Sequence, residues 1–400
     1  MNARRSMGGG RKLTVLYSFP HALGAPGIGW TAWNQVNELV RAGHEVHVVV
    51  ASVAKPVEGA ASLRTTMTVF SRRVPHRAVG RDRALRYHDY VASRRVRKAN
   101  VAVVHAWPLA SELTFKAAAR RGIPTLREVP NTHTAHAYEV VARESARLGL
   151  EPRRGASHTH DARHLAAEER EWAAATALLI PSEAVAQTFR DRGFDPGRLL
   201  RHQYGSNARP TGHVREEGPF TAVFVGRGEP RKGLHYALEA WIASDACRTG
   251  RFLVFGALEP KYARYLAPML AHKSVEVHGV TDDPMGVLSQ ADVMLLPTIE
   301  EGSALVTYEA QVAGCVPLVS IAAGAVIEHG ITGFTHEVGD VGTLTRQLDT
   351  LCTRPELLEA MRAAAISRAE SLTWTAAVRR QVDAYRAAVA LADKSRRVSA

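Results

Sequence analysis

"ADVMLLPTIEEGSALVTYEAQVAGCVPLVS", residues 291–320, parses element by element. Val293–Pro297 is an apolar run of the length of a buried strand. Thr298–Gly302 reads as a loop, and Ser303 stands where a helix cap is wanted. The helix should run to about Ala313, with Gly314 ending it and Val316–Ser320 forming the next strand. Strand, helix and strand in that order make one unit of a parallel sheet covered by helices. Within the unit, Glu301 and Glu309 stand eight residues apart with no charge between them. Glu301 falls at the strand's carboxyl end, the edge where open α/β sheets bind ligands. Glu309 lies about two turns along the helix, ~12 Å further on. The helix start between them exposes N–H groups that attract phosphate. A ligand with hydroxyls at each end and a diphosphate between would fit this layout. On spacing alone, a loop acid followed by an exposed helix acid fits it equally.

The same alternation extends in both directions. "FTAVFVG" (220–226) is a strand, followed by the loop "RGEPRKG" and a helix from Leu234 to Ala243. "RFLVFGA" and "VEVHGV" are further strands. In the first half, "LTVLYS" (13–18) precedes the glycine-rich "HALGAPGIGW", a helix from Thr31 to Arg41 and the strand "HEVHVVV". "VAVVHAW" (101–107), "IPTLREV" (123–129) and "ATALLIPS" (175–182) continue the series, the last leading into a helix at Glu183–Arg190. Residues 204–220 have the Gly, Pro and charge content of a linker. Two similar α/β domains with a cleft between them is the economical reading.

Composition narrows the class. At 46% hydrophobic and 22% charged, the 400-residue chain is in the soluble globular range. No run of 18 apolar residues predicts a spanning helix, and "MNARRSMGGGRK" lacks a signal peptide's apolar stretch. Cys247, Cys315 and Cys352 have neither paired nor metal-ligand spacing, so the cytoplasm is the default compartment. The net charge of +12 is uneven: residues 1–210 hold 32 Lys/Arg against 17 Asp/Glu, the remainder 19 against 22. Ten of those cations lie between Arg72 and Lys98, opposed only by Asp82 and Asp89. Such a run attracts an anionic membrane, a polyanion or a phosphorylated substrate, or it is a solvated surface. No nucleic-acid motif accompanies it, and no nucleic-acid partner is expected. His158, His160 and His164 imitate a metal cluster without carboxylates to support it, and Asp282–Asp283 suits a turn. No metal is expected.

"VGRGEPRKG" (225–233) adds cations to the acids. Arg227 and Lys232 follow a strand and occupy the carboxyl edge of the same sheet as Glu301. Two cations and a helix start can neutralise a departing diphosphate without metal. The loop is not a Walker A sequence, and "GAPGIG" does not match a dinucleotide fingerprint.

Taken together, "VGRGEPRKGL", "EEGSALVTYEAQVAGCVPLVS", "LGAPGIGWTAWNQVNELVRAGHEV" and "LTWTAAVRRQVDAYRAAV" resemble the GT-B-fold retaining glycosyltransferases of family 4. The resemblance covers roughly residues 12–390. It implies two Rossmann-like domains: an acceptor-binding domain at 12–205 and a nucleotide-sugar-binding domain at 220–371. A disordered basic tail (1–11), a linker (206–219) and a helix returning to the first domain (372–392) complete the expected layout. By resemblance, Arg227 and Lys232 hold the diphosphate and Glu309 the ribose. Glu301, with the backbone of Ser303, Ala304 and Leu305, holds the sugar and distal phosphate. The backbone of Val280 meets the base, and Gly27 and Gly29 let the N-terminal loop approach the diphosphate. Two departures stand out. Ala304 replaces a glycine common in relatives, which should narrow the pocket. Glu128 stands near the usual active-site histidine, with Asn131, His133 and His136 just beyond; Glu128 and His133 are the catalytic candidates beside Glu301.

The expected activity is metal-independent, retaining transfer from a nucleotide-diphosphate-sugar to a hydroxyl. The acceptor would be a sugar, a lipid-linked group or a small molecule, with peripheral contact to an anionic membrane. A sugar phosphorylase, a nucleotide-sugar epimerase or a basic nucleic-acid-binding protein are the competing readings.

Overall fold

The computed structural model describes residues 12–69, 72–74, 79–151, 158–209 and 218–399. The tail at 1–11 and most of the linker therefore lie outside the described residues, as does Arg77 of the basic run.

Two parallel sheets carry the chain. The first contains β1 (Thr14–Leu23), β2 (Glu45–Val53), β3 (Ser62–Thr65), β6 (Val103–Ala106), β7 (Thr125–Glu128), β8 (Ala177–Ile180) and β9 (Leu199–Arg201). Its order is β3-β2-β1-β6-β7-β8-β9; β4 (Thr68–Val69) and β5 (Arg72–Arg73) form a small antiparallel pair beside it. The second contains β10 (Thr221–Val225), β11 (Arg251–Phe255), β12 (Val275–Gly279), β13 (Val293–Leu296), β14 (Val316–Ser320) and β15 (Phe334–His336), ordered β12-β11-β10-β13-β14-β15. Helices cover both faces, so the central strands read as unbroken apolar runs. Val293–Leu296 and Ala177–Ile180 are almost fully buried. In each sheet the strand order reverses once, between β1 and β6 and between β10 and β13. Such reversals open a crevice at the strands' carboxyl ends.

Three local boundaries differ from expectation. β1 continues five residues past Ser18, because Phe19, Ala22 and Leu23 are buried and pair with β2 across a register shift. The following helix, Ile28–Arg41, begins three residues before Thr31, opened by Gly27 at φ 77°. β9 adds an edge beyond the strand expected to be last, since Leu199 and Leu200 pair with Leu178 and Leu179.

The long helix Trp374–Ser399 leaves the second domain and packs into the first. Val378, Val382, Tyr385 and Ala388 join the core formed by β1, β2 and the helix Ile28–Arg41. Tyr204, Tyr308 and Trp374 make a smaller apolar cluster where the halves meet. Among the described residues no helix is long and apolar enough to cross a membrane.

Candidate functional site

The second sheet's reversal brings two loops together. After β10, the chain passes through Gly226–Glu229 into one helical turn, Pro230–Lys232, and then the helix Leu234–Ala243. After β13, it runs through Pro297 to Gly302. The loops are stitched by backbone and side chain: Ile299 N and Thr298 Oγ1 donate to the Arg231 carbonyl at 2.9 and 2.7 Å.

This stitching sets Lys232 against Glu301. The Lys232 ammonium is ion-paired with Glu301 Oε1, and Arg231 Nη1 lies 3.0 Å from the same oxygen. Burial, with the Arg231 charge beside it, pulls the Lys232 amine down to about 7. The negative charges of Glu229 and Glu300 work in the opposite direction. Arg227 stands apart, 67% exposed, with its nearest acid Glu229 at 3.6 Å. Of the predicted cations, one is therefore seated and one faces solvent.

The helix Leu305–Ala313 begins beside this pair, with Ala304 at the cap position and no side-chain cap. Ser303 is not the cap, contrary to expectation. Its hydroxyl is 2.8 Å from the Tyr308 hydroxyl and donates to the Gly324 carbonyl at 2.9 Å. Among the described residues no hydrogen bond occupies the amides of Leu305 and Val306. The helix therefore starts with donors to spare. Ala304 is buried, 5% exposed, among the second domain's core residues. Glu309, two turns on, is half-buried, and burial pushes its carboxyl up to about 7. Val280 is 74% exposed beyond β12. Gly29 is needed for packing: a Cβ there would sit 2.5 Å from the Ala22 carbonyl oxygen.

The first domain's candidates are placed differently. Glu128 is fully buried and accepts from the Tyr204 hydroxyl at 2.8 Å and Gln35 Nε2 at 3.3 Å. His202 and His105 each lie 3.1 Å from it. Against the cost of burial, these two histidines hold the carboxyl well below the usual range. This is a network inside the first domain, so the structure does not bring Glu128 to the cleft. His133 caps the helix Thr134–Arg147, its Nδ1 accepting from Ala135 N at 3.2 Å. Its ring packs on Trp172 and Phe189, and burial pulls it down to about 4. Among the described residues, no contact joins either candidate to Lys232 or Glu301.

Glu300, which the sequence reading passed over, is fully buried between the domains. Its Oε1 accepts from Thr132 N at 3.1 Å and Thr132 Oγ1 at 2.7 Å. Only the doubled acid "EE" hinted at it, and nothing local distinguishes which member turns inward. Beyond Thr132 a cavity of about 860 Å³ borders the first sheet's carboxyl edge. Leu109, Asn131, Tyr138 and His160 are among its walls. The three histidines of "SHTHDARH" take separate partners. His158 meets Glu300 at 3.3 Å, the His160 ring lies tilted against that of Tyr138, and His164 meets Glu168 at 3.3 Å.

Comparisons with known proteins agree with this architecture. Residues 26–200 match the family described as Glycosyltransferase Family 4, and residues 219–354 match Glycosyl transferases group 1. The chain is 30% identical over 195 residues to the D-inositol 3-phosphate glycosyltransferase of Streptomyces griseus, covering 44% of this chain and 41% of that protein. It is 27% identical over 317 residues to the protein of the same name from Rhodococcus jostii, covering 72% and 66%. The matches thus span between two fifths and just under two thirds of these relatives' own lengths. The crystal structure of Anabaena HepE in complex with UDP-glucose superposes with a TM-score of 0.63 at 13% identity, covering 93% of this chain and 98% of that one. The chain carries a Glycosyltransferase Family 4 domain in its first half and a Glycosyl transferases group 1 domain in its second, on a GT-B fold.

Proposed function

We propose that this protein transfers a sugar from a nucleotide-diphosphate-sugar to an acceptor hydroxyl, with retention of anomeric configuration and without a metal ion. The observation that carries the reading is the Lys232–Glu301 pair beside an uncapped helix start at the sheet's reversal. A diphosphate arriving there would take Glu301's place on the lysine and accept from the helix amides. The leaving charge would then be stabilised by groups already in position. Glu301, released, would accept from sugar hydroxyls. Glu309 would do the same for the ribose, and the cavity beyond Thr132 would hold the acceptor. Front-face attack is the working mechanism, and a stable glycosyl-enzyme adduct in an intact-mass spectrum would count against it.

A thermal-shift screen of nucleotides and nucleotide sugars tests the donor half. A ligand at 100 times its Kd should add about 2.7 kcal/mol of stability. The expected result is a rise for one nucleoside diphosphate and its sugars, and an unchanged transfer rate in EDTA. NMR of the product then separates the alternatives. Retained configuration in a new glycoside supports transfer; a sugar 1-phosphate would indicate a phosphorylase, and an altered nucleotide sugar an epimerase. Tight nucleic-acid binding at physiological salt with no nucleotide response would overturn the reading.

The helix Arg81–Lys98 bears on the acceptor's setting. Arg83, Arg86, Arg94 and Arg97 are exposed, and Tyr87 and Tyr90 are each about half exposed among them. Asp89 turns inward, accepting from the amides of Leu113 at 2.8 Å and Thr114 at 2.9 Å. Asp82 is thus the only acid on that outer face. This arrangement supports peripheral attachment to an anionic bilayer, with the protein cytoplasmic and the acceptor lipid-linked. Each basic residue near such a surface contributes about 1 kcal/mol. Sedimentation with anionic vesicles should fall at least tenfold when these four arginines become glutamate. Equal sedimentation of both proteins would leave a small soluble acceptor.

A further inference from the structure

We propose that Glu300 is a positioning residue that locks the donor half-site to the acceptor half-site. The idea rests on the transfer reading above, but its geometry stands apart from it. Glu300 has no exposed surface, yet it belongs to neither domain's apolar core. Its two carboxylate oxygens divide their work. Oε1 takes the amide and hydroxyl of Thr132, which belongs to the first domain and lines the 860 Å³ cavity. Oε2 faces His158 Nε2 at 3.3 Å and Arg231 Nη1 at 3.5 Å. Arg231 also donates to the Glu300 carbonyl at 2.8 Å and pairs with Glu301, the partner of Lys232. One side chain therefore connects the cavity rim to the loop that holds the lysine. The backbones are pressed together at the same place, since a Cβ on Gly302 would overlap the Pro130 carbonyl oxygen. A buried carboxylate facing four donors is ordered only while both domains supply them. The seam is thus made when the cleft closes. Reacting atoms carried on separate domains need such a register, because small misplacements cost orders of magnitude in rate.

Two substitutions break the two halves of the seam separately. Glu300→Gln keeps one acceptor oxygen but places an NH2 group against His158 and Arg231, which are donors. Thr132→Val removes the hydroxyl and keeps the shape. In the full chain without ligand, each should make the peptide around residues 130–137 exchange amide hydrogen about tenfold faster, while β10 and β14 keep wild-type rates. Small-angle scattering should show a larger radius of gyration. With UDP as the donor-side probe, Kd should stay within about threefold, while kcat for the identified donor–acceptor pair falls about tenfold or more. Thr132→Ser should recover most of the kcat lost in Thr132→Val. Unchanged exchange and scattering, or a loss of UDP affinity as large as the loss of turnover, would overturn the proposal. If the wild type turns over no nucleotide sugar, the transfer reading falls, and the ligand-free measurements still decide the seam.

Discussion

Lys232→Ala should weaken donor binding by at least a hundredfold while leaving the far-UV circular dichroism spectrum unchanged. Three effects add. The ammonium is the cation seated at the crevice, because Arg227 is two-thirds exposed and screened by water. Its removal leaves Glu301, 8% exposed, beside the incoming phosphate with only Arg231 to offset it. Breaking a buried charge pair on one side commonly costs 3–5 kcal/mol, or roughly 10² to more than 10³ in affinity. Lys232→Arg should not restore binding, since a planar fork does not fit where a compact ammonium sits. The titration adds a signature. The folded lysine loses its proton near 7 against an ordinary value of 10.5. Donor affinity should therefore fall as pH rises above about 7, and binding at pH 8 should take up a proton. Calorimetry in two buffers of different ionisation heat measures that uptake. For stability the sign is opposite to that of a lysine whose pKa its partners raise. Between about 7 and 10.5 the unfolded chain binds the extra proton, so raising pH through that window favours the folded state. Lys232→Met should abolish this slope. Wild-type affinity in Lys232→Ala would end the site assignment.

What was legible in the sequence depended on whether a signal was local. The strand, loop and helix of residues 293–313 were readable because apolar runs and glycines act over a few residues. Gly314, at φ 78°, ends its helix as its type demands. The meeting of Lys232 with Glu301 was inferable because both follow strands whose carboxyl ends share an edge. Side-chain commitments made across the fold were not legible. Ser303 looks like a cap until Tyr308 and Gly324 claim its hydroxyl. His133 and Glu128 look available until Trp172 and Phe189 enclose one, and Tyr204, His105 and His202 surround the other. Glu300 differs from Glu301 only in which way it points, and its direction is set by Thr132, 168 positions earlier. Tertiary partners of that kind leave no periodicity to read.

Gly233→Ala should cost about 3 kcal/mol or more, lowering the melting temperature by roughly 6–12 °C, with donor binding lost below the transition as well. Gly233 joins the turn carrying Lys232 to the helix Leu234–Ala243, at φ 69° and ψ 22°. A left-handed conformation costs an alanine about 1–2 kcal/mol on backbone grounds. The larger part is steric. A Cβ here would overlap the Pro297 carbonyl oxygen and lie 3.4 Å from Thr298 N. Neither is a side chain that can swing away; both are backbone of the loop that positions Glu300 and Glu301. Relief therefore requires the two loops to separate, breaking the bonds from Ile299 N and Thr298 Oγ1 to Arg231. Gly43 provides the matched comparison, with φ 84° and no atom within 4 Å of its virtual Cβ. Gly43→Ala bears only the dihedral cost, about 1 kcal/mol, and should bind donor normally. The gap between the two substitutions isolates the contact between the loops. If both melt at the same temperature, the loops are not held as tightly as this geometry requires, and the lysine and glutamate are not preorganised.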